Sequence, residues 1–304
     1  MALIAVMSAK GAPGATTTSL LLANLWPRPT VVVDADPLGG DIALRLTGEH
    51  GPLQAERGLM SLLPAARRGL TAGLVVQHTQ TAVGGQKVVP GLPGPEQAVA
   101  VAPMWPGLAD AFAQVPDHDV FVDVGQLHGR SPHLPLVERA VALLCVYRPT
   151  AWSVVHARRR LESLQDLLRP RQTVVGIVCV SDPDEPAAAR EAAYGVADGL
   201  DWITDLGTIA LDPKTVAMYE GGTVYRPERS LLARSGAAVM GRLHGMVAPA
   251  EPAPVVGVPV PAAEADAEAS PGPSAQEWAS QRESEAGGRR RALRRGPRRG
   301  ERQR

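Results

Sequence analysis

The chain opens on an apolar run, Ala2–Met7, that passes directly into Ser-Ala-Lys-Gly-Ala-Pro-Gly-Ala-Thr-Thr-Thr at residues 8–18, and then into the apolar stretch Ser19–Leu25. A buried strand, a glycine-rich loop and a helix start, in that order, leave few folds open. Gly11 and Gly14 let the backbone approach a ligand closely. A helix beginning near Thr16 aims its unpaired N–H groups and the positive end of its dipole into the loop. That is the layout of a phosphate-binding loop, but an incomplete one. The standard loop carries lysine just before its final hydroxyl pair. Here Ala15 stands in that place, and a different lysine, Lys10, stands at the front. Taken alone, the same residues also fit a tight Gly-Pro-Gly turn into a threonine-capped helix.

Two acidic segments narrow the choice. Thr30–Asp41 is an apolar strand ending in Asp34 and Asp36, followed by Pro37 and the pair Gly39-Gly40. Alternate strand residues share a face, so both carboxylates can meet at the C-terminal edge of a sheet, where open α/β folds hold ligands. Asp34 by itself would also suit a helix or turn cap. Val120–Gly125 reads Val-Phe-Val-Asp-Val-Gly and ends a third apolar run on Asp123. A carboxylate there can orient a magnesium shell, although a lone acid after a strand equally fits a turn.

Along residues 1–247 short β-type runs alternate with longer helical stretches. Strands are expected at Leu3–Met7, Thr30–Asp34, Gln86–Val89, Val120–Val124, Val141–Val146, Thr173–Val180 and Leu206–Ala210. Helices are expected at Thr17–Leu25, Gly58–Arg68, Glu96–Ala113, Ala151–Leu168, Ala187–Leu200 and Arg229–Met246. The strand runs are continuously apolar, as in parallel strands buried on both faces. The alternation predicts an α/β fold: a doubly wound, mostly parallel sheet with helices on both faces; with the loop after its first strand, it resembles the P-loop NTPase type. With only 4% aromatic residues, the core must be built from Val, Leu, Ala and Ile. The last helix, Ser230–Val247, is expected to pack on that core. Its other reading is an amphipathic membrane anchor.

Cys145 and Cys179 lie inside apolar runs and are expected to be buried free thiols. No apolar run reaches the roughly 18–20 residues of a membrane span, and the N-terminus lacks a secretory pattern. A cytoplasmic protein is the expectation. Residues 248–288 are rich in Ala, Pro, Glu, Ser and Gly and are expected to form a disordered linker. Residues 289–304 hold nine arginines and one glutamate, a net of +8 in a chain whose total is zero. This tail, Arg289–Arg304, could contact DNA phosphates without sequence preference, or an anionic surface, or simply stay solvated.

The three motifs together resemble the ParA/MinD family of deviant-Walker ATPases, whose loop reads Lys-Gly-Gly-x-Gly-Lys-[Ser/Thr]-[Ser/Thr]. The matching segment is Lys10-Gly11-Ala12-Pro13-Gly14-Ala15-Thr16-Thr17. Arg148-Pro149-Thr150 and Leu211-Asp212-Pro213 are similar to later family segments, and Asp36–Asp41 looks most like the CpaE/TadZ branch. The resemblance implies binding of ATP and Mg²⁺ by residues 10–17. It implies that Lys10 reaches across a nucleotide-dependent homodimer, that Thr16 and Asp123 hold the metal, and that Asp36 positions the attacking water. Ala15 departs from the pattern. Phosphoryl transfer depends on positioning and charge stabilisation, so hydrolysis is expected to be slow or absent. Lys10 acting within its own chain, or an arginine elsewhere such as Arg148, could fill the gap. The implied role is a positioning protein for pilus or secretion machinery. The alternatives are a chromosome or plasmid partition ATPase that holds DNA through the tail, and a nucleotide-free scaffold.

Overall fold

The structure, a computed structural model, describes residues 1–10 and 14–248. The expected linker and arginine tail, and loop residues Gly11, Ala12 and Pro13, therefore lie outside the described residues, apart from residue 248.

Among the described residues ten strands form: β1 (Leu3–Ser8), β2 (Thr30–Asp34), β3 (Thr47–Gly48), β4 (Gly51–Pro52), β5 (Gln80–Thr81), β6 (Lys87–Val89), β7 (Asp119–Gln126), β8 (Ala142–Tyr147), β9 (Val174–Ser181) and β10 (Ile203–Ala210). Eight join one sheet in the order β10-β9-β8-β1-β7-β2-β6-β5. Every pair is parallel except β5 with β6. The helices are α1 (Ala15–Leu25), α2 (Ile42–Arg45), α3 (Leu59–Ala66), α4 (Ala72–Gln77), α5 (Ala98–Val101), α6 (Trp105–Phe112), α7 (Leu134–Glu138), α8 (Ala151–Leu168), α9 (Pro186–Ala197), α10 (Pro213–Val216) and α11 (Leu231–Val247). This is the expected doubly wound, mostly parallel α/β sheet.

The continuous apolar runs arise because successive residues feed two different cores. On β7, Val120, Val122 and Val124 enter the layer that holds Trp105, Phe112 and Leu161, while Phe121 enters the layer under α1 and α11. On β8, Leu143, Cys145 and Tyr147 face one layer and Ala142, Leu144 and Val146 the other. Apolar side chains cover both faces of these strands along most of their length, so the period-2 alternation of a half-exposed strand disappears. Both cysteines are free and buried, and burial pushes each thiol up to about 12.

Three expectations need correction. The single helix expected over Glu96–Ala113 is broken into short helical pieces, with Pro103 and Pro106 each at the start of one. Proline lacks the N–H that a continuing helix needs and crowds the preceding turn. Strand β10 starts three residues earlier than expected. It is the sheet edge, with Thr204 and Asp205 exposed, so its first half lacks an apolar run. The short elements α4, α7 and β5 had too little periodicity to be foreseen.

Helix α11 packs on the core. Leu232, Val239 and Leu243 are buried, and a Cβ at Gly236 would come within 2.6 Å of Leu21 on α1. Ser230 caps it, its hydroxyl accepting the Ala233 N–H at 3.1 Å. Among the described residues, no helix is long and apolar enough to cross a membrane.

Candidate functional site

The three expected motifs meet at the C-terminal edge of the sheet. Strand β7 lies between β1 and β2, and its Asp123 is in register with Val6 on one side and Asp34 on the other. The chain leaves β1 through Ala9 and Lys10 and re-enters as helix α1 at Ala15. Gly14 precedes that helix at φ 108, a left-handed conformation that suits glycine. No side chain caps α1, and its first turn contains no acid. The first hydrogen bond of the helix runs from Thr18 N–H to Gly14 O at 2.8 Å. Among the described residues, the N–H groups of Ala15, Thr16 and Thr17 have no hydrogen-bond partner, and they stand beside the positive end of the helix dipole.

Thr16 and Asp123, both expected to hold a metal, are in direct contact: the Thr16 hydroxyl donates to Asp123 Oδ2 at 2.5 Å. The other carboxylate oxygen of Asp123 accepts the Gly125 N–H at 2.9 Å. Asp34 is equally buried. Its Oδ2 accepts the Ile42 N–H at 3.1 Å and its Oδ1 the Asp36 N–H at 3.4 Å. A Cβ at Gly40 would stand 2.7 Å from Asp34 Oδ2, and one at Gly91 2.9 Å from its carboxyl carbon. Asp34 thus holds the α2 turn in place and is walled in by glycines, as the cap reading of that residue anticipated. Asp36 is half-buried, accepts the Leu38 N–H at 2.8 Å, and lies so close to Gly125 that a side chain there would overlap its carboxylate.

Burial raises the pKa of all three acids, and the proximity of Asp34 to Asp123 adds to the rise for Asp34. None of the three makes a salt bridge among the described residues. The cluster is short of positive charge. It is not a metal cage by itself, because no three metal-ligating side chains gather among the described residues. Magnesium is characteristically held by one or two carboxylates together with substrate phosphates. A hydroxyl–carboxylate pair beside an open helix N-terminus fits that arrangement and would not fit a free ion.

Lys10 is exposed and makes no ion pair among the described residues. Thr17 faces a cavity of about 280 Å³ shared with Gly14, Arg148, Leu211, Asp212 and Pro213. The two late sequence segments are thereby brought to the loop. A larger cavity of about 540 Å³, between α9, β10 and α11, contains neither the loop nor any of the three acids.

Two residues at the site were not foreseen. Arg45, the last residue of α2, donates from Nη2 to the Thr17 hydroxyl at 3.1 Å. His133, before α7, holds Val124 O at 3.1 Å through Nε2 and so steadies the strand end that carries Asp123. Neither belongs to a motif; the fold brings Arg45 to the start of α1 and His133 to the end of β7.

No family model matches this chain, and no curated protein matches it. Solved structures do. A ParA family ATPase from Chlorobium tepidum TLS is 18% identical, with a TM-score of 0.64 over 80% of this chain and 98% of its own. The MinC:MinD cell division protein complex of Aquifex aeolicus gives 17% identity and a TM-score of 0.59, covering 80% and 96%. The septum site-determining protein MinD of Pyrococcus horikoshii OT3, complexed with Mg-ADP, gives 16% and 0.58, covering 82% and 98%. The chain has the fold of these ATPases.

Proposed function

We propose that this chain is a nucleotide-binding positioning protein of the ParA/MinD type whose hydrolytic step is slow or absent. The observation that carries the reading is the Thr16–Asp123 contact at the uncapped start of α1. It places a hydroxyl and a carboxylate where a metal–phosphate complex would meet free backbone N–H groups. In this reading the N–H groups of residues 14–17, with Gly11, Ala12 and Pro13, cradle the phosphates of ATP. Thr16 and Asp123 hold Mg²⁺, which when bound neutralises phosphate charge. Asp36 orients water. The exposed Lys10 reaches the phosphates of a second copy in a nucleotide-dependent homodimer. The cavity beside Thr17 takes the base, between Arg148 and the Leu211–Pro213 segment.

Ala15 is the reason for slow turnover. A missing charge-stabilising donor costs on the order of 10²–10³ in rate, while backbone N–H groups and Mg²⁺ still support binding. The Asp36–Asp41 segment supports placement in the CpaE/TadZ branch, and so a role in localising pilus or secretion machinery.

Calorimetric titration of the full chain with ATP and MgCl₂ tests this reading. Saturable binding at micromolar to low-millimolar concentration is expected, weakened at least tenfold when Mg²⁺ is omitted. Thr16→Ala and Asp123→Ala should abolish the difference made by Mg²⁺. A folded protein that gives no saturable heat would leave the nucleotide-free scaffold as the better description.

A further inference from the structure

We propose that Arg45 supplies the positive charge missing at Ala15, by binding phosphate oxygens of the nucleotide from the Thr17 side of the loop. The proposal rests on the nucleotide reading above. It goes further by naming a residue outside every loop motif.

Arg45 has more donor capacity and more charge than its surroundings use. A guanidinium carries five N–H donors. Its one hydrogen bond among the described residues is to the neutral Thr17 hydroxyl, at 3.1 Å. Its one carboxylate neighbour among them is Glu220, at 3.7 Å. That distance is beyond a good hydrogen bond, and the Glu220 side chain is 59% exposed, against 21% for Arg45. Exposed pairs of this kind contribute little. Tyr219, within reach of the Arg45 charge, is buried and its hydroxyl finds no partner among the described residues. The Arg45 charge acts on that hydroxyl, opposing the rise that burial imposes on its pKa.

The location compounds the imbalance. Arg45 contacts the first turn of α1, which has no acidic residue and no capping side chain. The dipole of that helix already places about half a positive charge there. Two positive centres stand side by side here, one of them half-buried, with Asp123 bound to Thr16 and Glu220 3.7 Å from the guanidinium as the carboxylates beside them. A phosphate group satisfies both, through backbone N–H groups on one side and the planar guanidinium fork on the other. The other cations fit less well. Lys10 stands in front of the loop and is exposed. Arg148 lines the neighbouring cavity but makes no side-chain hydrogen bond to the loop among the described residues.

The test is calorimetric titration of full-length wild type, Arg45→Ala, Arg45→Lys and Arg148→Ala with Mg-ATP, Mg-ADP and adenosine. Thermal melts confirm folding, and Arg45→Gln, which keeps a donor for Thr17, replaces Arg45→Ala if that variant melts early. Arg45→Ala should weaken ADP and ATP on the order of 10- to 100-fold and leave adenosine unchanged. A merely structural role would weaken all three together. Arg45→Lys should recover part of the loss, and Glu220→Gln should tighten ADP about threefold by releasing the guanidinium. If wild type binds ADP and Arg45→Ala binds it equally well, or if adenosine suffers as much as ADP, the assignment of Arg45 fails and the nucleotide reading stands. If wild type binds no nucleotide, both fail.

Discussion

Gly125→Val is expected to destabilise this protein by about 2–5 kcal/mol, the sum of two independent costs. Gly125 has φ +58, a left-handed conformation that costs an L-residue roughly 1–2 kcal/mol. Any Cβ there would also overlap the Asp36 carboxylate, and overpacking of this kind costs about 1–3 kcal/mol. At about 2–4 °C per kcal/mol for a domain of this size, a calorimetric Tm should fall by roughly 5–15 °C. The two costs can be separated. Gly84 has φ +93 and nothing within 4 Å of an added Cβ, so Gly84→Ala carries only conformational strain, about 1 kcal/mol. Gly125→Ala should cost clearly more. Pairing it with Asp36→Ala should recover the difference, as coupling between touching residues predicts. Equal melting shifts for the two alanine variants would show that Asp36 does not lie against Gly125. The acid would then not be held at the end of β7, and its proposed role in orienting water would lose its structural basis.

The second large effect is acid sensitivity from His133. The ring is 1% exposed, lies against Trp105 with centroids 5.9 Å apart, and is anchored to Val124 O. Its Nδ1 is buried without a partner among the described residues. Burial, with a smaller contribution from the facing His128, pushes its pKa down to about 4 from the ordinary 6.5. The unfolded chain therefore takes up a proton on this residue between pH 6.5 and 4, while the folded chain does not. Stability falls as pH falls through that window, by about 3 kcal/mol in total at 1.36 kcal/mol per pKa unit. Asp34 and Asp123 act in the opposite direction. Their pKa values are raised in the fold, so the folded chain holds protons that the unfolded chain releases, and these groups lose stability as pH rises. The wild-type profile is thus a difference of opposing terms, and His133 must be read against a variant. His133→Phe should be less stable than wild type at pH 7 by about 1 kcal/mol, for the lost hydrogen bond. By pH 4 it should be more stable than wild type by about 2 kcal/mol. Urea unfolding at intervals across the range measures both; curves that stay parallel would mean that His133 is charged, or solvated, in the fold.

Much of the architecture was legible because it follows from burial on two faces. Val31–Val33, Val120–Val124 and Leu143–Val146 feed both cores at once, so each leaves an unbroken apolar run in the sequence. Where burial is one-sided or partial the signal weakens, which is why the exposed start of β10 and the short antiparallel β5 were not seen. Proline was readable as a helix breaker in principle, and the apolar content of residues 96–113 masked it. The site was legible where its chemistry is local. Lys10, Asp34, Asp36 and Asp123 each stand at or just after the end of an apolar run, and a parallel sheet delivers every such position to one edge.

The sequence by itself determined that the chain forms a mostly parallel α/β sheet and that a glycine-rich turn joins its first strand to its first helix. Both rest on local rules: apolar runs become buried strands, and glycines open a helix start to a ligand. Only the tertiary structure decided which groups serve that turn. The order β8-β1-β7-β2 sets Asp123 against Thr16 across 107 residues and Asp34 beside it, which no spacing in the chain encodes. It also folds α2 back so that Arg45 touches Thr17, 28 residues away, with Glu220 behind it. Charge balance at the loop is a property of distances in space. The composition around Ala15 could show that a lysine is missing, and only packing shows that Arg45 touches the helix that starts there.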